Sequence, residues 1–231
     1  PNRTLTDPYE GQQLGEIWGY VVDGYFKTDE EARNYKVDQS FVNQMINASA
    51  LDNGLHAGDL KFVDLDGNNK IEQTTSANDR KDMKVIGNSL PRYNYNFGIS
   101  ADWYGIDFSV LFQGIGKQNW YPGAETSMFW GPYSRPYASF IPSDFMSQVW
   151  SEENTDAYFP RPRGYVALGS NRELAVVNTK YLQNLAYCRL KNLSIGYTLP
   201  DKWLSKIGFE KIRVYFSGEN LLTFTKLHSD Y

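Results

Sequence analysis

Between Asn192 and Pro200 the chain sorts its side chains into two alternating sets. Leu193, Ile195, Tyr197 and Leu199 take one parity, and Asn192, Ser194, Gly196 and Thr198 take the other. Successive side chains on a β-strand point to opposite faces, so this segment has one greasy and one polar face. Arg189 and Lys191 extend the greasy parity into charge, as expected where a strand leaves hydrocarbon for an interface. Pro200, which cannot donate to a ladder, ends the run.

The same alternation recurs. Tyr93, Tyr95, Phe97, Ile99, Ala101 and Trp103 oppose Asn94, Asn96, Gly98, Ser100 and Asp102. A tight turn at Tyr104-Gly105 follows, with glycine supplying the unusual backbone angles. Ile106, Phe108, Val110 and Phe112 then alternate with Asp107, Ser109 and Gln113, Leu111 being the one break in the polar row. Near the C-terminus Ile212, Val214, Phe216, Leu222 and Phe224 oppose Arg213, Tyr215, Ser217 and Glu219. Segments of about ten residues with this alternation carry the signature of an outer-membrane barrel. A soluble β-sandwich alternates too, but here the apolar face is unusually aromatic, drawn from 17 Tyr, 13 Phe and 6 Trp in 231 residues. Such rings at strand ends suit an interfacial girdle.

No run approaches the ~20 apolar residues of a membrane helix. A net charge of −4 supplies no basic surface for nucleic acid. Cys188 is the one cysteine, which excludes an internal disulfide. The chain opens on Pro1-Asn2-Arg3 without a charged-then-apolar leader, as expected of a processed or internal piece. The few legible strands point to a piece as well, since an open sheet leaves unpaired backbone in hydrocarbon and the smallest barrels use eight strands. The expected organisation is a barrel strand or strands with a long excursion over 1–92, including an acidic loop at 64–79. A barrel hairpin over 93–118, a long aromatic and proline-rich loop over 119–180, and a second hairpin over 181–231 follow.

Six blocks, in order, resemble the C-terminal barrel portion of SusC/RagA-family TonB-dependent transporters of the Gram-negative outer membrane. They are Ile17–Phe26, Gly58–Gly67, Val85–Tyr93, Trp150–Arg161, Arg189–Pro200 and Ile212–Thr225. Ser151-Glu152 departs from the family's usual Thr-Pro. The resemblance implies an all-β fold: antiparallel strands forming part of a large transmembrane β-barrel, about 22 strands when complete, with long extracellular loops. It further implies a location in the cell outer membrane, a lumen plugged by a domain lying outside these blocks, and energy from the TonB complex through absent N-terminal parts. A SusD-like surface lipoprotein would act as lid, and the cargo would be a glycan or a peptide.

Three sets of candidate residues follow. Asp64, Asp66, Asn68, the Lys70 carbonyl and Glu72 occupy the spacing of an EF-hand-type loop, a possible structural calcium site. Asn69 stands where glycine belongs, and Thr75 where a bidentate acid belongs. An insert over Gln73–Ala77 moves Asp79 away unless it loops out. An Asx-rich turn is the plainer reading. The second set, Trp120, Tyr121, Trp130, Tyr133, Tyr137 and Trp150, lies in the proline-stiffened loop and could touch substrate or partner, or build the loop's own core. The third, Asn94, Asn96, Asp107, Gln113, Arg213 and Glu219, would face a barrel lumen. Catalytic motifs are missing: His56 and His228 have no ligand spacing, and no nucleophile or phosphate-loop pattern is present. Short helices are expected over Asp201–Gly208, capped by Asp201, at Asp29–Arg33, and within 38–50. A secreted or periplasmic carbohydrate-binding β-sandwich is the alternative from another class.

Overall fold

The computed structural model describes residues 8–43, 54–134, 141–163, 167–169, 172–206 and 208–227. The chain divides into two compact units. The first draws on residues 1–89 and 120–183, the second on 90–119 and 184–227.

In the first unit, strand β1 (Glu16–Tyr20) pairs antiparallel with β4 (Met83–Asn88), and β2 (Val22–Tyr25) with β3 (Leu60–Phe62). These pieces are too short to be stable alone. They are held by a core of Tyr20, Leu60, Phe62, Phe129, Trp130, Tyr133, Phe159 and Tyr181, among others. Helix α1 (Asp29–Arg33) forms as expected. The Thr28 hydroxyl accepts from the Glu31 N–H at 3.1 Å, while the Glu31 carboxylate accepts from the Lys27 N–H at 2.9 Å. The Thr-x-x-Glu pair thus meets one orphan donor of the helix and ties down the residue before its cap. Of the span 38–50, residues 44–50 lie outside the described residues; Asp38 bridges to Lys70, and a turn over 39–43 follows.

The second unit is one antiparallel sheet. Strands β5 (Arg92–Trp103) and β6 (Ile106–Lys117) form a hairpin. The two-residue pair β7 (Asn119–Trp120) with β8 (Gln183–Asn184) marks where the chain passes between units. Strands β9 (Tyr187–Thr198) and β10 (Arg213–Thr225) complete the order β10-β9-β6-β5. The β5–β6 turn has φ of +46° at Tyr104 and +86° at Gly105, the two positive values that let a two-residue turn follow strand twist. Helix α2 (Ser127–Trp130) lies in the first unit. Helix α3 (Asp201–Leu204) lies in the β9–β10 connection. Asp201 is its first helical residue rather than its cap: Pro200 takes the cap position and no side chain closes the end. Ile207 lies outside the described residues, and Gly208 follows at φ +76°.

Candidate functional site

The sheet of the second unit is two-faced, and its register shows how. Asn94 stands opposite Ile115, Asn96 opposite Gln113, and Asp102 opposite Asp107. Asp107 in turn meets Gly196, which meets Tyr215, while Glu219 meets Asn192. Directly paired residues share a face, so one polar surface runs across all four strands. A bulge interrupts it. Beyond Asn192 the partner of β6 is Leu190, and β10 skips from Glu219 to Leu222, with Asn220 at φ +52°. The extra residue Lys191 reverses the parity of everything before it. Arg189 therefore stands opposite Gln113 and Thr223, on the polar face, not on the greasy face that simple alternation assigns it.

At the turn end of the polar face, Arg213 reaches over Gly196 to Asp107. Its Nε lies 2.8 Å from Asp107 Oδ1 and its Nη2 2.5 Å from Oδ2, a bidentate pair. A Cβ on Gly196 would lie 2.5 Å from both Asp107 Oδ1 and Arg213 Nη2, so glycine makes room for the pair. The guanidinium also sits 4.8 Å from the Tyr215 ring centroid. Further along, the Asn192 amide reaches Glu219 at 3.5 Å.

The opposite face carries Phe97, Ile99, Phe108, Val110, Leu193, Ile195, Val214 and Phe216. Phe97 and Phe112 stack at 5.0 Å. Tyr95 lies over Gly114, where a Cβ would meet its ring at 2.4 Å, and its hydroxyl donates to the Tyr187 carbonyl at 3.0 Å. Yet Ile99 is 60% exposed, Val214 64% and Phe216 58%. A soluble sandwich would bury such a face against a second sheet.

The acidic loop is closed on itself. Asp64 accepts from the Gly67 and Asn69 N–H groups at 2.7 Å each, Asp66 from Asn68 at 3.1 Å, and Asn68 Oδ1 from the Lys70 N–H at 2.8 Å. Asn69 adopts the left-handed conformation at φ +61° that glycine would take in the EF-hand pattern. The carboxylates that converge are Asp64, Asp66 and Asp82, within 4.8 Å of one another. Asp79 is not among them; its backbone closes a separate turn with Thr74 and Ser76. Glu72 is drawn away to Lys81 at 3.1 Å and Lys70 at 3.7 Å. Asp82, which spacing alone did not single out, is buried and accepts from the Leu65 and Glu72 N–H groups. Burial, reinforced by the neighbouring Asp66 and Asp64 charges, holds its carboxyl above the usual range against those two donors. Among the described residues no lysine or arginine pairs with any of the three.

The loop aromatics are mostly turned inward. Trp130 is 0% exposed and Tyr133 2%, and Trp150 is buried as well; Tyr121 is half-buried, and Trp120 keeps the most exposure. Tyr137 lies outside the described residues. Of the two roles open to these rings, ligand contact or the loop's own core, Trp130, Tyr133 and Trp150 take the core. Their polar tips find backbone: Tyr133 Oη donates to the Pro160 carbonyl at 2.6 Å, and Trp130 Nε1 to Gly123 at 3.0 Å. Tyr121 Oη lies 2.8 Å and 2.9 Å from the Leu174 and Val176 carbonyls.

Beside this core lies a charge cluster that sequence reasoning missed. Asp59 and Glu173 are fully buried. One carboxylate oxygen of Asp59 takes both Arg161 Nε and Arg163 Nη2, and Arg163 Nη2 stands 2.9 Å from Glu173 Oε1. The other Glu173 oxygen accepts from the Leu60 N–H at 3.3 Å. Burial raises the Glu173 carboxyl, with Arg163 opposing. Asp59 and Arg161 each sit inside a block quoted above, so a charge shared by two distant blocks was the available signal.

A sheet of 12- and 13-residue strands, polar on one face and exposed, aromatic and apolar on the other, has the two-faced character of transmembrane β-barrel wall. No family profile matches the chain. It is 30% identical over 216 residues to TonB-dependent receptor P3 of Formosa agariphila, covering 94% of this chain and 18% of that protein. TonB-dependent receptor P39 of the same organism is 27% identical over 94% of this chain and 22% of its own length. The chain thus spans less than a quarter of the curated relatives it matches. Among solved structures the RagAB peptide importer in its open-open state is similar, with a TM-score of 0.49, 18% identity, and coverage of 98% of this chain and 22% of that one. By sequence the chain resembles a segment of SusC/RagA-like TonB-dependent receptors.

Proposed function

We propose that this chain supplies barrel wall and surface excursions to an outer-membrane active importer. Its cargo is an oligosaccharide or a peptide, its energy comes through TonB, and a SusD-like lipoprotein serves as lid. The observation that carries this reading is the sheet with an exposed apolar face backed by a polar one that runs across all four strands. Lipid suits the first face and a hydrated lumen the second. Asn94, Asn96, Asp107, Gln113, Arg213 and Glu219 then belong to the lumen wall. The two connections at the turn end, Tyr104-Gly105 and the α3 segment, suit the periplasmic side, where turns are short. The first unit is the extracellular excursion.

The test is to delete the gene for the whole receptor, score growth on candidate glycans and peptides with and without TonB, and purify the receptor in mild detergent. TonB-dependent loss of uptake with a co-purifying surface lipoprotein is the expected result. A soluble species of this size with no growth phenotype would overturn the reading in favour of a carbohydrate-binding module. The Asp64, Asp66 and Asp82 carboxylates fit a hard cation by donor type, and calcium is the ion we propose for this loop.

A further inference from the structure

We infer that the turn end of the four-stranded sheet is a seat for one anionic glycerophospholipid, with its acyl chains on the apolar face and its phosphate at the β9–β10 connection. The inference rests on the barrel-wall reading of that sheet and adds a specific lipid partner to it. Cross-strand register sets the apolar side chains in rows. At the turn end Trp103, Ile106, Tyr197 and Val214 stand side by side, and in the next apolar row Ala101, Phe108, Ile195 and Phe216. Along each row a ring alternates with an aliphatic side chain, and the second row is offset from the first, so the two form a checkerboard. A hollow of about 780 Å³ lies among them, and its lining includes Ile106, Ile195, Tyr197, Val214 and Phe216. That volume lies within the ~300–1,000 Å³ of small-ligand sites. Of those five side chains Tyr197 alone carries a polar atom, so what fills the hollow is hydrocarbon.

The rim toward the turns changes character. Trp103 and Tyr104 are exposed there, rings that settle where hydrocarbon gives way to headgroups. The β9–β10 connection then brings the charge. Lys202, Lys206 and Lys211 are exposed, and among the described residues none of them has an ion pair. The acids of the same connection are Asp201 and Glu210, so three cations stand against two anions. Trp203 and Phe209 are exposed beside these lysines, while buried Leu204 pins α3 in place. A neutral lipid would fill the hollow as well as an anionic one. The lysines decide between them, because each lysine near an anionic headgroup strengthens attachment about fivefold.

The test strips the full-length receptor of lipid in mild detergent and titrates it with dioleoyl-phosphatidylglycerol or dioleoyl-phosphatidylcholine, reading bound lipid by native mass spectrometry. Phosphatidylglycerol is expected to bind at least tenfold more tightly. Lys202→Gln with Lys206→Gln changes exposed charges only, and should remove most of that preference while leaving phosphatidylcholine binding unchanged. Val214→Trp fills the hollow and should weaken both lipids at least fivefold. Heat-modifiable gel migration of each variant separates loss of lipid from loss of the barrel; if Val214→Trp does not fold, the lysine pair decides alone. Equal affinity for the two lipids, or a preference that survives the lysine variant, would overturn the proposal in favour of a non-specific annular lipid only. Failure of the barrel-wall reading is separate: the receptor would then stay soluble without detergent and migrate alike heated and unheated.

Discussion

Replacing Arg163 with methionine removes the cation that two buried carboxylates share. Arg163 has a side chain only 4% exposed, and both Asp59 and Glu173 are at 0%. After the change Asp59 keeps Arg161, but Glu173 keeps only the Leu60 N–H. Removing one member of a buried ion pair costs about 3–5 kcal/mol, because the remaining charge is stranded in a poorly polarisable interior. At about 1.4 kcal/mol per tenfold, amide exchange around Leu60 should quicken by roughly a hundred- to a few-thousandfold. The pH dependence follows from sign. Burial already raises the Glu173 carboxyl in the folded protein, and loss of Arg163 raises it further. Such a group contributes stability that is present below its unfolded value and is lost as pH rises through its folded value. The variant should therefore be nearly normal at pH 5 and most labile at pH 8. Adding Glu173→Gln keeps an acceptor for Leu60, removes the stranded charge, and should restore most of the protection. Hydrogen exchange with mass spectrometry on the detergent-solubilised receptor, from pH 5 to 8, reads all of this. A loss of protection that is independent of pH, or not recovered in the double variant, would refute the charge argument.

Three further outcomes test the sheet and the acidic loop. Gly196→Val places a branched side chain where the Arg213–Asp107 pair lies, with its Cβ at 2.5 Å from Asp107 Oδ1; it should cost about 1–3 kcal/mol in urea unfolding of the refolded barrel, and unchanged stability would mean that the pair is not held there. Phe216→Arg puts a charge on the exposed apolar face and should cost more than about 1 kcal/mol, the depth-dependent penalty rising to about 2–4 kcal/mol at a bilayer midplane, whereas Ser217→Arg, one residue on and facing the other way, should stay within about 0.5 kcal/mol; equal effects would deny the two faces different solvents. Chelation should lower the melting temperature of the first unit by a few degrees if calcium bridges Asp64, Asp66 and Asp82, while Asp82→Asn should abolish that response and Asp79→Asn should preserve it.

The period-two pattern placed four strands and both of their faces, because a barrel wall meets one solvent on each side along its whole length. It failed at Arg189 for an equally physical reason. One inserted residue, Lys191, shows only in cross-strand pairing, and parity inverts across it without any break in the local alternation. The buried cluster was harder still, since Asp59 and Arg161 lie 102 residues apart and only their places inside two of the quoted blocks hint at a pairing. In the acidic loop the spacing found Asp64 and Asp66, but the third carboxylate came from Asp82 because the insert turns back through Thr74 and Ser76. The exposure of the loop aromatics was undecidable from composition. Whether a ring stacks on a ligand or on its neighbour depends on contacts such as Phe145 on Phe159 at 5.0 Å, which bring residues from distant turns together.

Tyrosine position carries information that the aromatic count hides. Along the apolar face of the sheet the middle of each strand uses rings and branched chains without polar atoms: Phe97, Ile99, Phe108, Val110, Ile195 and Phe216. Tyrosine and tryptophan collect toward the ends, at Tyr93, Tyr95, Trp103 and Tyr197. In hydrocarbon a phenol has no acceptor, so it belongs where headgroups and water begin. In the first unit tyrosines go to the interior, because a loop rich in proline and turns leaves carbonyls unclaimed. Tyr25 donates to the Tyr158 carbonyl and Tyr133 to that of Pro160, each at 2.6 Å. Each hydroxyl thereby ties one excursion to another, which lets a segment with little regular secondary structure hold one shape. The same residue type thus gathers at strand ends in one unit and replaces the missing ladder in the other.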